Sequence, residues 1–180
     1  GVVRALVIEQ GAAQSRRFFT ELESWATEAG GAGLAWLTTT ADGFGGPIAR
    51  ALGQELATRI VAATDAGEGS AILLFAGPEA ATASLGGELR LHLADLLSMR
   101  QEGVFRFCWI VDFPMYAADE ETGGIDFCHN PFSMPQGGLQ ALVEQSPLDI
   151  LANQYDIVVN GTELSSGAIR NHRSDIMLKA

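Results

Sequence analysis

The feature that most constrains the fold is a change of sequence pattern near residue 100. Before that point, short apolar runs alternate with longer segments that carry apolar residues at helical spacing, and after it the helical segments almost disappear. The first pattern predicts alternating strands and helices, and the second predicts part of an antiparallel sheet. We therefore expect an α/β (α+β) chain with two domains, residues 1–100 and residues 101–180.

The first domain is predicted to contain three strands and three helices in alternation. The strands cover residues 2–8, 34–39 and 70–75, and the helices cover residues 16–29, 47–63 and 79–97. Ser15 is a predicted N-cap and Gly30 a predicted C-cap of the first helix, while Pro47 suits the first turn of the second. The pair Gly86-Gly87 is expected to interrupt the third helix.

The second domain is predicted to be rich in strands. The predicted elements are strands at residues 105–111, at residues 125–128 and around Asp156 and Arg170, and a short helix at residues 139–144. Pro114 is expected to end the first of these strands because proline cannot donate a ladder hydrogen bond. Residues 118–124 are acidic and glycine-rich, which is typical of a turn.

The composition excludes several classes of protein. Hydrophobic residues make up 47% of the chain and charged residues 18%, so the chain can bury a core and is not expected to be disordered. No apolar stretch approaches the roughly 20 residues of a membrane helix, and the first residues lack the pattern of a secretion signal. We expect a cytoplasmic protein with no membrane partner.

The charge balance argues against a protein that wraps nucleic acid by electrostatics. The formal net charge is -11, and Lys179 is the single lysine, whereas phosphate binding needs clustered basic residues. Arg16-Arg17 is the one adjacent basic pair, and we expect it to form a solvated first helical turn. Any contact with RNA must therefore be local.

The two cysteines do not indicate a disulfide framework or a metal site. Cys108 and Cys128 fall in or beside predicted strands without the spacing of zinc ligands. Two thiols in a chain of 180 residues are too few for a disulfide scaffold. We predict buried free thiols.

Three charged residues recur at intervals of seven near the end of the chain, namely Asp156, Glu163 and Arg170. In a regular strand this spacing would place successive charges on opposite faces. Gly161 and Gly167 lie between them, and glycine is common at the bulges and turns that change the phase of a strand. A binding site for an anion beside a metal or amine is one interpretation, and a structural ion pair is an equally good one.

His129 begins a loop that contains two prolines, Pro131 and Pro135. A histidine in such a loop can donate a hydrogen bond to a substrate carboxylate when its tautomer is fixed. A histidine that only tethers the loop is at least as common, so this residue is a candidate and no more.

The second half of the chain resembles bacterial-type aspartyl-tRNA synthetase, a class II enzyme. The residues that carry the resemblance occur in the family's order and spacing: Cys108-Trp109-Ile110-Val111-Asp112-Phe113-Pro114, His129-Asn130-Pro131-Phe132, Tyr155-Asp156, Asn160-Gly161, Glu163, Gly167 and Ile169-Arg170. Residues 1–100 are similar to the insertion (GAD-like) domain of bacterial members, mainly by position and by their α/β pattern.

The resemblance implies roles for the candidate residues. Arg170 and His129 would bind the substrate L-aspartate, Glu163 would hold ATP through Mg²⁺, and Asp156 would be a further carboxylate near that metal. A guanidinium group suits a carboxylate, and Mg²⁺ usually binds one or two carboxylates together with substrate phosphates.

The resemblance also implies that this chain is the middle of a longer enzyme, a partial class II catalytic domain preceded by its insertion domain. The intact enzyme would be a homodimer that activates aspartate with ATP and transfers it to tRNA, and the isolated chain would be inactive. An insertion module that binds tRNA or a partner protein without catalysis is the alternative. A synthetase-like protein without activity is disfavoured, because an inactive site has no need for three costly charges.

Overall fold

The computed structural model describes residues 1–119 and 122–180 of the chain, so Glu120 and Glu121 of the predicted turn at residues 118–124 lie outside the described residues. Backbone contacts divide the chain into unit 1, Gly1–Arg100, and unit 2, Gln101–Ala180. In the described residues no helix is both long enough and apolar enough to cross a membrane.

Unit 1 is built on one antiparallel sheet. Its elements are β1 Val2–Ile8, α1 Arg16–Glu28, β2 Ala35–Thr40, β3 Gly43–Gly45, α2 Ala49–Thr64, β4 Ala71–Gly77 and α3 Glu79–Leu96. The strand order is β1-β4-β2-β3, with β4 antiparallel to both of its neighbours. The predicted alternation is confirmed, and β1 and β2 are parallel strands separated by an antiparallel one, as in a split βαβ unit.

Both faces of this sheet are covered by helices, and β4 shows why. Leu73 and Phe75 belong to the core cluster that includes α1 and α3, whereas Ile72 and Leu74 pack with the cluster that includes α2. Successive side chains of a strand point to opposite faces, so an unbroken apolar run is what a strand covered on both sides requires. Unit 1 therefore has a core on each side of its sheet.

The predicted ends of the first two helices are partly confirmed. The Ser15 hydroxyl accepts a hydrogen bond from the Phe18 amide at 3.2 Å, so the predicted N-cap of α1 is correct. The C-cap is Ala29, and Gly30 follows it with φ of 87°, so the predicted C-cap is displaced by one residue. The placement of Pro47 in the first turn of α2 is wrong, because that helix begins at Ala49.

The predicted interruption of α3 at Gly86-Gly87 is also wrong, since the helix continues through both residues. A Cβ atom on Gly86 would stand 3.1 Å from Cζ of Phe75, so this glycine lets the helix pack closely on the sheet. The break occurs instead in α2, where Gly53 has φ of 71° and ψ of 168°. Both positions use glycine, one for close packing and one for a conformation that other residues avoid.

Unit 2 is built from short strands. Its elements are β5 Phe107–Ile110, β6 Phe113–Pro114, β7 Tyr116–Ala118, β8 Ile125–Phe127, α4 Gly138–Glu144, β9 Leu151–Ala152, β10 Gln154–Val159, β11 Thr162–Ala168 and α5 Ser174–Lys179. The largest sheet has the order β11-β10-β5 and is antiparallel, which confirms the predicted antiparallel character. Two ribbons, β6-β9 and β7-β8, complete the strand pairs.

Two predictions for unit 2 need correction. Pro114 does not end the first strand, which stops at Ile110; Pro114 instead pairs with Leu151 in a separate ribbon. The chain turns between them at Asp112, which has φ of 60°. The cysteines are free, as predicted, but they are not buried: Cys108 is exposed and Cys128 is half-buried.

Candidate functional site

Three of the four predicted site residues lie on or directly after strands of the three-stranded sheet of unit 2, namely Asp156, Glu163 and Arg170. Strand β10 is the central strand, and in it Asp156 is paired with Ile110 of β5 on one side and with Ser166 of β11 on the other. Directly paired residues of an antiparallel ladder share a face. Asp156 therefore shares its face with Ser166, and the next position on that face, Val158, is paired with Glu163.

A tight turn and a β-bulge together place the charged residues on one face. Ile157 is paired with Ser165, but Val158 is paired with Glu163, so Leu164 is an extra residue on β11. Asp156 and Glu163 are thus diagonal neighbours on one face, a relationship that corresponds to about 7–8 Å between Cα atoms. The turn at residues 160 and 161 supplies the change of phase between Asp156 and Glu163, and the bulge supplies the one between Glu163 and Arg170.

Of the two glycines that were expected at the changes of phase, one lies at such a position and the other does not. Gly161 has φ of 84° and lies with Asn160, φ of 49°, in the tight turn between β10 and β11. Gly167 lies in the regular ladder opposite Tyr155, where a Cβ atom would stand 2.7 Å from Cε2 of that ring. The expectation is thus confirmed for Gly161, which lies in the turn, and wrong for Gly167, because the bulge is at Leu164.

Arg170 follows β11 directly. The amide of Ile169 donates to the carbonyl of Asn153 at 2.9 Å, so the ladder with the β10 side continues past Ala168. Arg170 forms an isolated bridge with Ser133, and alternation from Ser166 assigns its side chain to the face of Asp156 and Glu163. Two carboxylates and one arginine are therefore arranged along one face of the sheet.

The three charged side chains do not form ion pairs with one another among the described residues. Arg173 provides a contrast, because its Nε donates to Asp175 at 3.1 Å. The hydrogen bond from Arg173 lowers the pKa of the Asp175 carboxyl below its ordinary value. Arg170 is exposed, and its guanidinium group has no carboxylate partner within the described part of the chain. The interpretation as a structural ion pair is thus wrong for these residues.

Asp156 carries the one unsatisfied carboxylate oxygen among the buried side-chain atoms that the structure describes. Its Oδ1 is inaccessible and has no hydrogen-bond partner, and the only other such atom in the described residues is Nδ2 of Asn171. A buried polar atom without a partner costs free energy, and a cation that coordinates the oxygen would remove that cost.

Asp156 and Glu163 fit a magnesium ion better than a metal held by protein ligands alone. Within residues 1–119 and 122–180, no group of three or more His, Cys, Asp or Glu side chains is arranged to hold a metal. Two carboxylates on one face match Mg²⁺, which keeps several ligand positions for water and substrate phosphates.

His129 is exposed at the start of the loop before α4, and Ser133 of this loop forms the bridge with Arg170. Its ring packs edge-on against Phe113, with 5.2 Å between the ring centroids. Further along this loop, the Ser133 hydroxyl donates to Oδ1 of Asn130 at 2.9 Å, and Ser133 is 1% exposed. The loop is thus fixed at its centre, and His129 remains accessible at its start.

Sequence reasoning missed two residues beside Arg170. The ring of Phe132 lies 4.4 Å from Cζ of Arg170, and Asn171 carries the buried unpaired amide. The contact between residues 132 and 170 joins distant parts of the chain, so no local spacing predicts it. The available signal was an aromatic residue in a loop that contains two prolines, because binding residues are often carried on loops.

Comparisons with known proteins agree across the chain. A family model described as tRNA synthetases class II (D, K and N) matches residues 8–180. The aspartate–tRNA(Asp/Asn) ligase of Zymomonas mobilis subsp. mobilis is 50% identical over 180 residues, which is 100% of this chain and 30% of that protein. The aspartate–tRNA ligase of Streptomyces coelicolor is 52% identical over 179 residues, 99% of this chain and 30% of that protein.

A further relative, the aspartate–tRNA(Asp/Asn) ligase of Acidiphilium cryptum, is 52% identical over 180 residues, 100% of this chain and 30% of that protein. The chain thus spans about 30% of the length of the curated relatives it matches.

Proposed function

Because the chain belongs to the class II tRNA synthetases of the D, K and N group, we propose that the protein containing it activates L-aspartate with ATP and transfers it to tRNA. One observation carries the choice of aspartate within this group: Arg170 is an exposed arginine without an ion-pair partner among the described residues. It directly follows a strand of the sheet that carries Asp156 and Glu163 on one face.

Arg170 is proposed to bind the side-chain carboxylate of aspartate. A guanidinium group offers a planar pair of N–H donors that matches a carboxylate in two parallel hydrogen bonds. Asparagine presents a neutral amide, whose NH₂ group meets a donor instead of an acceptor. Lysine presents a cation, which a nearby arginine repels. The same residue therefore favours aspartate over the other two amino acids of the group.

Asp156 and Glu163 are proposed to hold Mg²⁺ together with the phosphates of ATP. Both are hard oxygen ligands on one face of the sheet, and Oδ1 of Asp156 lacks a partner in the described part of the chain. Bound Mg²⁺ supplies positive charge that offsets the negative charge of the phosphates. The two carboxylates fix its place, and Arg170 then has to orient the amino acid so that its α-carboxylate reaches the α-phosphate.

His129 is proposed as a second contact to aspartate. Its ring is accessible and is held edge-on by Phe113, which leaves its nitrogen atoms free for a ligand. A neutral imidazole can donate one hydrogen bond to a carboxylate oxygen, and the protonated ring adds a positive charge.

The remaining parts of the proposal concern the whole protein. Unit 1 serves as the insertion domain and unit 2 as part of the catalytic domain. The intact protein works as a homodimer in the cytoplasm with tRNA as its partner, and the 180-residue chain alone does not aminoacylate. The relatives have more than three times the length of this chain.

The core of unit 1 favours a second candidate function. Its sheet is covered on both faces by its own helices, so unit 1 has the organisation of a separate module. A module that binds tRNA or a partner protein without taking part in catalysis is consistent with this arrangement.

Aspartate-dependent exchange of labelled pyrophosphate into ATP tests the proposal. We expect the full-length protein to catalyse this exchange, and Arg170→Ala to reduce kcat/KM for aspartate by about a hundredfold or more, because a charge-assisted pair is lost. Arg170→Lys keeps the charge but loses the planar donor pair, so it should recover only part of the activity.

The control is Arg173→Ala, which removes an exposed arginine that pairs with Asp175. It should leave the exchange within about twofold of wild type. No exchange by a folded full-length protein would refute the catalytic proposal and favour the binding module.

A further inference from the structure

The guanidinium group of Arg170 lies over an aromatic ring. Its Cζ atom is 4.4 Å from the centroid of the Phe132 ring, which is well within the distance of a cation–π contact. The face of the ring carries negative charge from its π electrons, so it attracts the guanidinium plane. Arg173 differs in this respect, because its guanidinium group pairs with the carboxylate of Asp175.

Backbone hydrogen bonds hold Phe132 and Arg170 next to each other. The amide of Asn171 donates to the carbonyl of Phe132, and the amide of Met134 donates to the carbonyl of Ile169, both at 2.8 Å. Ser133, between them, forms the bridge with Arg170 and is 1% exposed. The loop and the end of β11 therefore form a short ladder that fixes the ring with respect to the arginine.

The contact also leaves the donors of the arginine available. An aromatic face interacts with the flat side of a guanidinium group, whereas the five N–H donors point outward in the plane of that group. A carboxylate partner would have consumed two of those donors. Phe132 can thus restrict the side chain and yet leave its donor pair free for a ligand.

We propose that Phe132 is a positioning residue for Arg170, which orients the guanidinium fork toward the carboxylate of the amino acid substrate. This inference rests on the proposed function for its substrate, but the positioning itself is a property of the chain. Because aspartate and asparagine differ in the group that meets Arg170, the orientation of its donors contributes to the discrimination between them.

The first test is kinetic and uses the full-length protein. Phe132→Leu keeps apolar bulk but removes the π face, and we expect it to raise KM for aspartate by about 3- to 30-fold while KM for ATP stays within about twofold. The ratio of kcat/KM for aspartate to that for asparagine should fall in the same variant. Phe132→Tyr keeps the aromatic face and should restore both values.

The matched control is Phe127→Leu, the same substitution in a ring of unit 2 that packs on Tyr116. It should leave KM for aspartate unchanged. Equal rises in both KM values, no rise at all in Phe132→Leu, or failure of Phe132→Tyr to restore binding would overturn the proposal.

The second test does not depend on activity. In full-length protein labelled with [¹⁵N]arginine, the ring current of Phe132 should shift the side-chain Nε–H proton of Arg170 upfield, and Phe132→Leu should abolish that shift. An unshifted resonance, or one that the substitution leaves in place, would overturn the positioning role. If wild type shows the shift but no aspartate-dependent exchange, the proposed function fails while the positioning of Arg170 stands.

Discussion

At the scale of single residues, the site is defined by charged groups that lack the partners that charged groups usually have. Asp156 has an inaccessible oxygen without a hydrogen bond among the described residues, and Arg170 contacts a ring instead of a carboxylate. For the buried oxygen of Asp156, the missing hydrogen bond costs roughly 1–3 kcal/mol, whereas Arg170 is exposed to solvent. Such costs are typical of binding sites, where the ligand supplies the missing partner.

The first prediction concerns Asp156. With magnesium removed by a chelator, Asp156→Asn should raise the free energy of unfolding of the chain by about 1 kcal/mol, because a neutral amide is less costly to bury than a carboxylate. Added magnesium should stabilise the wild type and reduce this difference. Urea unfolding with and without magnesium measures both effects.

The control for this prediction is Asp149→Asn, which changes an exposed carboxylate in the short 3-10 turn Pro147–Asp149. Its unfolding free energy should match that of wild type in both conditions. If Asp156→Asn also leaves stability unchanged, or if it destabilises the chain without magnesium, the unpaired oxygen of Asp156 does not carry the cost assigned to it.

The second prediction concerns pH. Burial raises the pKa of the Tyr116 hydroxyl, so the folded state holds this proton more tightly than the unfolded state does. Its contribution to stability is complete below the unfolded value of about 10 and is lost as the pH rises through the higher folded value. Tyr116→Phe should therefore weaken the fall in unfolding free energy at alkaline pH.

At neutral pH the same variant should lose about 1 kcal/mol, because the Tyr116 hydroxyl donates to the carbonyl of Ala180 at 3.1 Å. Urea unfolding at neutral and alkaline pH measures both effects. Tyr155→Phe retains Tyr116 and should keep the alkaline fall of wild type. A Tyr116→Phe variant with an unchanged pH profile would contradict this account.

Part of the site could be predicted from residue types and their spacing in the sequence. Asp156, Glu163 and Arg170 were identified as a set from their spacing, and the structure assigns them to one face. The contact of Arg170 with Phe132 could not be predicted, because it depends on how a loop docks against a strand end. The roles of these residues toward aspartate and Mg²⁺ remain predictions.

At the scale of elements, small departures from regular geometry decide which residues meet. The turn at residues 160 and 161 places Glu163 on the face of Asp156, and the extra residue Leu164 keeps Arg170 on that face; without the bulge Arg170 would lie on the opposite face. The sequence predicted both changes of phase and suggested glycine at each, which is correct at Gly161 and wrong at the bulge. A bulge does not require glycine, so its position depends on the pairing partner and not on local sequence.

The third prediction uses two adjacent glycines of α3. Gly87→Ala should raise the free energy of unfolding by about 0.5–1 kcal/mol, because alanine favours a helix and nothing lies within 4 Å of the added Cβ atom. Gly86→Ala has the same helical gain, but its Cβ atom would stand 3.1 Å from the Phe75 ring. This variant should be less stable than Gly87→Ala, as measured by urea unfolding.

Equal stabilisation by the two substitutions would contradict the packing role of Gly86. This role also explains why the helix was predicted to break at the glycine pair. Glycine weakens a helix in isolation, but the contact of α3 with the sheet outweighs the local preference. Strands and helices of unit 1 were otherwise predictable because their apolar patterns match cores on both faces.

At the scale of the whole chain, the two units differ in how much apolar surface they cover. Unit 1 has two core clusters around one sheet, whereas β5 of unit 2 exposes Phe107 and Trp109, each at 61%. A contiguous exposed apolar surface is typical of a part that packs against other protein. This difference agrees with a chain that spans about 30% of the length of its relatives.

The fourth prediction follows from this difference. A fragment of residues 1–100 should unfold in a single cooperative transition, with a midpoint in urea close to that of the same unit in the longer chain. The fluorescence of Trp25 and Trp36 reports it, because Trp36 stacks on the buried Phe19 with 3.9 Å between the ring centroids. A fragment without a cooperative transition would contradict the independence of unit 1.

A folded fragment also permits the test of the second candidate function. Binding of residues 1–100 to tRNA should be weak, since the chain is acidic, and it should fall as salt is added. Tight binding that persists in high salt would favour the binding module as the principal role of this unit.

The central claim is that this site selects aspartate, and amino acid dependence of pyrophosphate exchange tests it most directly. The full-length protein should be assayed with ATP and, in turn, aspartate, asparagine and lysine, the amino acids of its group. We predict that kcat/KM for aspartate exceeds the other two values by at least about a hundredfold, because Arg170 requires a carboxylate partner. Exchange that is as fast with asparagine or lysine would contradict the account.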